Sequence, residues 1–128
     1  MILDSSAVIA VVFREKEHEE LEETMSEVES LSIGAPTLFE TAMVAIGLYE
    51  ERGHDLVAHF LEERGVEIIP FEERHWEIAV DAFDRYGKGR HPARLNLGDC
   101  MTYASARVAD EPLLFIGNDF AKTDIAPA

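Results

Sequence analysis

The chain has a single cysteine, Cys100, and no long apolar run among its 128 residues. One cysteine cannot form an internal disulfide, so a disulfide-stabilised secreted fold is excluded. The longest unbroken apolar segment, Ala7 to Phe13, is far shorter than the roughly 20 residues of a membrane-spanning helix. No basic signal-peptide region precedes the first apolar residues. We therefore expect a cytoplasmic protein without membrane contact.

Basic residues are also scarce, because 11 Lys and Arg stand against 26 Asp and Glu, giving a formal charge of −15. Such a balance argues against a broad basic face for nucleic acid. A nucleic-acid-binding function would need a metal ion or a local basic patch. Eight glutamates between Glu15 and Glu29 account for much of the excess, and we interpret them as a solvated helix face.

Short apolar runs alternate with longer amphipathic segments, which predicts βα units, a mainly parallel sheet and one domain over residues 1–128. Strands are expected at 1–4, 66–69 and 113–116, with an ambiguous apolar run at 31–33. Helices are expected at 5–12 with Ser5 or Ser6 as the cap, and at 16–29, 36–52, 54–64, 72–86 and 98–109. Gly53 and Gly65 are predicted to end two of these helices. Trp76 and Phe83, seven residues apart, are predicted to lie in the core.

Acidic residues follow apolar strands or lie at helix starts in four separate segments. Asp4 and Asp119 come at or just after strands, and Asp99 and Glu40 lie in the first turns of helices. Each acid alone is explained as a turn residue, a cap or a surface acid. Together they predict a cluster for one or two Mg²⁺ ions, which prefer oxygen ligands and often bind substrate phosphate. The chemistry indicated is metal-assisted phosphodiester hydrolysis.

Taken together, these segments resemble the PIN-domain ribonucleases, and more closely the VapC-type toxins of type II toxin–antitoxin pairs. The matching segments are Met1–Ala7, Pro36–Glu40, Leu95–Ala104, Leu113–Phe120 and Thr123–Ile125. The resemblance implies a three-layer α/β/α fold with a central, mainly parallel sheet of four or five strands. It also implies a Mg²⁺-dependent endoribonuclease, with Mn²⁺ as a possible substitute.

The resemblance also assigns roles within the acid cluster. Asp4 and Asp99 would be the main metal ligands, and Glu40 would hold metal-bound water or a second ion. Asp119 would complete the catalytic pocket. The supporting positions are Ser6, which matches a small hydroxyl position, Asn118, which stands where many relatives carry another acid, and Asp124. Whether Asp119 or Asp124 is the fourth acid stays open.

The chain has one basic cluster, in the ten residues that end at Arg94. We predict that it guides RNA phosphates toward the metal, since phosphate contacts position a nucleic acid without reading its sequence. The alternative is that these residues only pair with surface acids. The residues concerned are Arg85, Lys88, Arg90 and Arg94.

Two kinds of protein partner are implied by the resemblance. VapC-type toxins generally bind an antitoxin whose extended tail places a basic residue near the acids, and they usually form homodimers. The acidic surface of this chain suits a basic partner peptide.

Two other classes of function compete with the nuclease. One is a non-catalytic PIN-fold binding module that holds a protein or RNA partner. The other is phosphoryl transfer through an aspartyl intermediate at Asp4, which usually requires a second acid two residues on, where this chain has Ser6.

Overall fold

Six α-helices and four short β-strands alternate along the computed structural model, which describes all 128 residues. The strands are β1 (Ile2–Leu3), β2 (Ser32–Gly34), β3 (Glu67–Ile69) and β4 (Leu113–Leu114). The helices are α1 (Ser5–Val12), α2 (His18–Ser26), α3 (Ala35–Tyr49), α4 (Glu51–Arg64), α5 (Glu73–Tyr86) and α6 (Leu97–Ala109). A 3₁₀ turn, Phe120–Lys122, follows the last strand.

The strands form one parallel sheet in the order β3-β2-β1-β4. Ile2 pairs with Ser32 on one side and with Leu113 on the other, so β1 has a neighbour at both edges. The prediction of a mainly parallel sheet with four or five strands is confirmed, with four strands that are all parallel. Parallel pairing requires helical crossovers that cover both faces of the sheet.

Successive strand residues supply the two cores on either side of the sheet. Leu3 and Leu114 pack with helices α1, α2 and α4. Ile2 and Leu113 point the other way and pack with residues of α5, α6 and the C-terminal segment. This alternation is the period of two that a strand imposes on its side chains. The result is the three-layer α/β/α architecture that the resemblance implies.

The direction in which successive strands are added to the sheet reverses at β1. The chain moves from β1 to β2 and β3 on one side, and β4 then returns to the other side of β1. In open α/β sheets, ligands bind at such a switch point, outside the carboxyl ends of the strands. Asp4 directly follows β1, and the segment from Phe115 to Asp119 follows β4. The topology therefore brings these two chain segments to one edge.

The predicted break between the third and fourth helices is wrong in its position. Helix α3 ends at Tyr49, the cap residue Glu50 adopts a positive φ of 53°, and α4 begins at Glu51. Gly53 lies inside α4, where an added Cβ would be 2.0 Å from the carbonyl oxygen of Ala45. This glycine therefore allows close contact between α3 and α4 rather than ending a helix. Gly65 does end α4, in the left-handed conformation, as predicted.

Three smaller expectations also need correction. The cap of α1 is Asp4 rather than Ser5 or Ser6, because the extended backbone of Asp4 lets its carboxylate accept the Ser6 N–H. Helix α2 is shorter at both ends than the predicted 16–29. Strand β4 covers only Leu113–Leu114 instead of 113–116.

Trp76 and Phe83 are not core residues, since 53% and 42% of their surfaces are exposed. They share one side of α5, while its other side, with His75 and Ala82, is buried. Together with side chains of α6 they line an open apolar groove. Its residues are Phe71, Trp76, Ala79, Val80, Phe83, Leu97, Cys100 and Met101.

None of the helices combines the length and the apolar character that a membrane span requires.

Candidate active site

Asp4 is the most buried of the predicted site acids, with 6% of its surface exposed. Its Oδ2 accepts hydrogen bonds from the backbone N–H of Ser6 at 3.1 Å and from the Ser6 hydroxyl at 2.5 Å. Helix α1 therefore begins at the strand end, and its N-terminal dipole favours a negative charge there. The local sequence thus fixes one carboxylate at the carboxyl end of β1.

Ser6 links the two strand ends that form the switch point. Its hydroxyl donates to Asp4 and accepts the backbone N–H of Ile116, which follows β4, at 3.0 Å. Both interactions of the hydroxyl are structural, and a serine has no acid group to assist a phosphoaspartyl reaction. The position of Ser6 therefore speaks against phosphoryl transfer through Asp4.

Two helices, α3 and α6, carry Glu40 and Asp99 to the same region. The hydroxyls of Thr37 and Thr102 meet at 2.7 Å in the buried contact between these helices. Gly34 allows this close approach, since an added Cβ would be 2.4 Å from the Ser105 hydroxyl. The glycine and hydroxyl contacts fix the relative position of the two helices that carry these acids.

Asp99 has a second task as part of a capping box at the start of α6. Its Oδ2 accepts the N–H of Asn96 at 3.0 Å, and the Asn96 side chain accepts the N–H of Asp99 at 2.9 Å. This reciprocal pair holds the carboxylate in one orientation. The preceding residue, Gly98, packs against Glu40, because an added Cβ would be 2.4 Å from the Glu40 Oε2.

The acids influence one another electrostatically. Partial burial raises the pKa of the Glu40 carboxyl, and the carboxylates of Asp4 and Asp99 raise it further. Burial also raises the pKa of Asp99, a shift that the Asn96 hydrogen bond partly offsets and that Asp4 and Asp119 increase. Four acids thus lie near enough to repel one another. Nearby like charges disfavour ionisation, and a cation would reverse this effect.

The donor chemistry of this cluster fits a divalent cation. Asp4, Glu40, Asp99 and Asp119 form no ion pair with a Lys, Arg or His side chain, so their negative charge is left without a protein counter-ion. No three His, Cys, Asp or Glu side chains are close enough together to ligate one ion directly. Mg²⁺ commonly uses only one or two carboxylates and keeps several waters. Asp4 and Asp99 are the two acids of the cluster whose carboxylates accept hydrogen bonds from the protein.

Asp119 and Asp124 have different surroundings although they are five residues apart. Asp119 is exposed, precedes the 3₁₀ turn and acts electrostatically on Asp99. Asp124 instead accepts hydrogen bonds from the Tyr103 hydroxyl at 2.7 Å and from Arg85 at 3.2 Å. These partners lower the pKa of Asp124. Asn118 is exposed beside Asp119. Of these two aspartates, Asp119 is the one that raises the pKa of Asp99, whereas Asp124 is hydrogen-bonded to Tyr103 and Arg85.

The predicted basic cluster divides into paired and unpaired residues. Arg85 pairs with Asp81 at 3.4 Å as well as with Asp124. Arg90 pairs with Asp84 at 3.2 Å. Lys88 and Arg94 are exposed, form no ion pair and line an open depression on the 88–94 loop. These two are the basic side chains of the cluster that remain available to an anion.

Sequence reasoning missed the residues that hold the acids in place. Asn96 and Gly98 lie within the motif around Asp99, but their roles require knowledge of the side chains that contact them. Thr37 and Thr102 are small polar residues on helix faces that are buried. A small polar residue on a buried helix face is the only signal that the sequence offers for these two threonines. It indicates a contact between them only once the structure shows that the two helices pack together.

The PIN domain sequence profile matches residues 1–126. The chain belongs to the PIN-domain family. Among its relatives is ribonuclease VapC36 of Mycobacterium tuberculosis, which is 40% identical over 126 residues, a match that covers 98% of this chain and 91% of the relative. At that level of similarity this chain is a VapC-type member of the family.

Solved structures support the same fold. The crystal structure of M. tuberculosis VapC20, described as a sarcin–ricin loop cleaving toxin, matches with a TM-score of 0.81 at 15% identity, covering 99% of this chain and 97% of VapC20. VapBC2 from Rickettsia felis, bound to a DNA fragment from its promoter, matches with a TM-score of 0.77 at 11% identity, covering 99% of this chain and 96% of that one. At identities this low, the two structures show only that this chain has the same fold, the PIN fold.

Proposed function

We propose that this protein is a divalent-metal-dependent endoribonuclease that hydrolyses RNA phosphodiester bonds and acts as the toxin of a toxin–antitoxin pair. The observation that carries the proposal is the cluster of carboxylates without protein counter-ions, at the switch point of the sheet. Its VapC-type relatives are ribonucleases by name. A catalytic set consisting of Asp4, Glu40, Asp99 and Asp119 accounts for both facts.

Mg²⁺ is the proposed ion, with Mn²⁺ as a substitute, because both accept carboxylate and water oxygens. Asp4 and Asp99 would hold it. A divalent cation bound there would polarise the scissile phosphate and make a bound water more acidic. Hydrogen bonds from Ser6 to the Asp4 carboxylate and from the Asn96 backbone N–H to the Asp99 carboxylate orient the two proposed ligands before any ion arrives. Glu40 would accept a hydrogen bond from the attacking water, and Asp119 would add charge at the open side.

Lys88 and Arg94 are the proposed contacts for RNA phosphates. Both are free of ion pairs, and the loop that carries them leads directly into α6 and Asp99. Arg85 and Arg90 contribute less in this proposal, because aspartates already neutralise them.

An antitoxin with a basic tail is the proposed protein partner. The carboxylate cluster offers a site for a basic side chain, and the apolar groove between α5 and α6 offers surface for apolar ones. The exposed apolar residues of α3, including Phe39, Met43 and Val44, support association into a homodimer. We further propose that residues 1–128 form one domain, since one sheet and its two flanking helical layers include every element. The cytoplasmic location stays a prediction.

The first test is cleavage of a total tRNA and rRNA pool by the purified protein with Mg²⁺, with Mn²⁺ and with EDTA. We expect discrete fragments that require metal. Asp4→Asn and Asp99→Asn should each lower the rate by roughly 10²- to 10³-fold, the scale of losing one preorganised electrostatic group. Both substitutions keep an oxygen that can accept the existing hydrogen bonds.

Asp110→Asn is the matched control, because Asp110 is an exposed carboxylate at the other end of α6 in the left-handed conformation that asparagine tolerates. Its activity should equal that of the wild type. Full cleavage by Asp99→Asn would overturn the proposed site. Metal binding without cleavage of any RNA in the pool would favour the binding module.

A further inference from the structure

The carboxylate of Asp124 joins three chain segments. Tyr103, on α6, donates its hydroxyl to the Oδ1 of Asp124 at 2.7 Å, and only 1% of the tyrosine surface is exposed. Arg85, on α5, donates its Nη2 to the Oδ2 of Asp124 at 3.2 Å. We call this three-residue contact the clasp. Both oxygens of Asp124 are thus occupied by protein donors.

The segment held by the clasp begins at Asp119. Phe120 is buried and packs against Phe115 with ring centroids 5.3 Å apart. The Thr123 hydroxyl donates to the Phe120 carbonyl at 2.7 Å and accepts the Ile125 N–H at 3.2 Å. The chain then pairs with β4, where the Leu113 N–H donates to the Ala126 carbonyl at 2.9 Å. These bonds form a compact turn between Asp119 and β4.

Asp119 has no side-chain hydrogen bond of its own, in contrast with Asp4 and Asp99. Its position relative to Asp99 therefore depends on the backbone turn that follows it. Asp124 is the only side chain of that turn that is bonded to α6, the helix that carries Asp99, four residues before Tyr103. The clasp thus connects the helix of one acid with the turn of another.

The charge around Asp124 is opposite to that around the acid cluster. Arg85 and Arg107 act on Asp124, and together with the Tyr103 hydrogen bond they lower its pKa. Asp99 instead experiences the negative charges of Asp4 and Asp119. A carboxylate with two donors and cationic neighbours gains little from a metal ion.

We propose that Asp124 is a positioning residue, and that the clasp of Tyr103, Asp124 and Arg85 fixes the C-terminal turn against α5 and α6 so that Asp119 stays beside Asp99. The inference rests on the proposed function, because it gives Asp119 a place in the metal site. It also gives Arg85 a task other than RNA binding.

The test compares Tyr103→Phe, Asp124→Ala and Asp124→Asn with the wild type, each with and without Asp119→Asn. Amide hydrogen exchange of residues 117–126 is measured in the metal-free protein, and Mn²⁺ binding is measured by calorimetry. Tyr103→Phe should speed exchange in this segment by about 10-fold, the scale of losing one hydrogen bond to a charged group. Asp124→Ala should have at least the same effect, because it removes the hydrogen bonds from both Tyr103 and Arg85. Asp124→Asn should have a smaller effect because its amide oxygen still accepts the Tyr103 hydroxyl.

Mn²⁺ binding separates positioning from ligation. If Asp124 acts through Asp119, the clasp variants should weaken Mn²⁺ binding several-fold in the wild-type background and should add no loss once Asp119→Asn is present. Met25→Ala, which truncates a buried residue of α2, controls for general destabilisation. It should leave unchanged both the amide exchange of residues 117–126 and the affinity for Mn²⁺. The double-variant comparison is therefore decisive.

Three results would overturn the proposal: unchanged exchange at 117–126 in Tyr103→Phe and Asp124→Ala, an equal loss of Mn²⁺ affinity with and without Asp119→Asn, or a loss in Asp124→Asn that Asp119→Asn does not show. The last would make Asp124 the fourth acid. Failure of the wild type to cleave RNA would instead overturn the proposed function. The exchange measurement uses metal-free protein, so it judges the clasp separately.

Discussion

The acid cluster and the basic cluster carry opposite charges. They also differ in how far neighbouring side chains of the protein neutralise those charges. Asp4, Glu40, Asp99 and Asp119 have no ion pair, and burial together with the neighbouring carboxylates raises the pKa of Glu40 and Asp99. In the basic cluster, Arg85 on α5 and Arg90 in the following loop are paired with aspartates, whereas Lys88 and Arg94 are not. Surface ion pairs of this kind contribute little to stability. The unpaired acids are therefore the charges that a bound cation could neutralise, which is why we propose them as the site.

The same comparison explains why the acid cluster needs a rigid support. Repulsion between carboxylates favours their separation, so the structure must hold them by other contacts. The buried Thr37–Thr102 hydrogen bond and the Asn96–Asp99 capping box provide such contacts. The basic cluster differs in this respect, because its two paired arginines, Arg85 and Arg90, are attracted to neighbouring aspartates.

Glu40→Gln gives the sharpest test of this contrast. We expect cleavage to fall by roughly 10²-fold, since the variant removes one preorganised charge from the site. The metal-free protein should melt at a higher temperature, because both the cost of burying the Glu40 charge and its repulsion by Asp4 and Asp99 disappear. The measurements are initial cleavage rates and calorimetric melting in EDTA. Opposite signs for activity and stability are the mark of a functional carboxylate.

The control for that variant is Glu62→Gln, which removes an exposed, unpaired glutamate of α4. It should change neither the rate nor the melting temperature. A lower melting temperature for metal-free Glu40→Gln would show that Glu40 stabilises the fold and would refute the account of repulsion.

Substitutions in the basic cluster should have a smaller effect, and one that depends on salt concentration. Substitution of Lys88 and Arg94 by alanine should weaken binding to a single-stranded RNA, and each lost phosphate contact should lower the slope of log K against log salt by about 0.7. Arg90→Ala is the matched comparison, because Asp84 already neutralises that side chain. Fluorescence anisotropy at several salt concentrations measures both. An equal loss in Arg90→Ala would mean that its ion pair opens for RNA.

Gly98→Ala tests the close contact between Gly98 and the Glu40 side chain. The added methyl group must displace the Glu40 carboxylate, because the Cβ position is 2.4 Å from its Oε2. Alanine also favours the helix by up to about 1 kcal/mol over glycine. We therefore expect a several-fold loss of cleavage with no loss of thermal stability. Gly47→Ala, in α3 with open space at its Cβ, is the control and should keep full activity.

The fold was predictable from the sequence where apolar periodicity determines it. The alternation of strands and helices follows from this pattern, and Gly65 acts through its own backbone, so both were predicted correctly. Gly53 was misinterpreted because its role depends on the Ala45 carbonyl of another helix. Trp76 and Phe83 were assigned to the core because periodicity identifies an apolar helix face without showing whether a neighbour covers it.

The sequence predicts the acids of the site but not the contacts that hold them. Motif positions predict Asp4 and Asp99, but five residues of separation could not distinguish Asp119 from Asp124. That distinction depends on Tyr103 and Arg85, which lie on two other helices. Long-range contacts of this kind leave no local pattern.

The smallest expected effect is the pH dependence of the metal-free protein. Glu40 and Asp99 have pKa values raised above their ordinary values of 4.5 and 3.8, so the folded state binds protons at a higher pH than the unfolded state. Their contribution to stability is fully present below those ordinary values and is lost as the pH rises through the raised ones. Asp124 has the opposite sign, because its pKa is lowered and its contribution is lost only in stronger acid.

Acidification from neutral pH toward about 5 should therefore narrow the stability gain of Glu40→Gln over the wild type, measured by melting in EDTA. The difference between these two proteins cancels the titration of the other surface acids. Saturating Mg²⁺ should favour the wild type most at neutral pH, where the carboxylates are ionised and free to bind it. A gain that stays constant with pH would mean that Glu40 affects stability through packing and not through its charge.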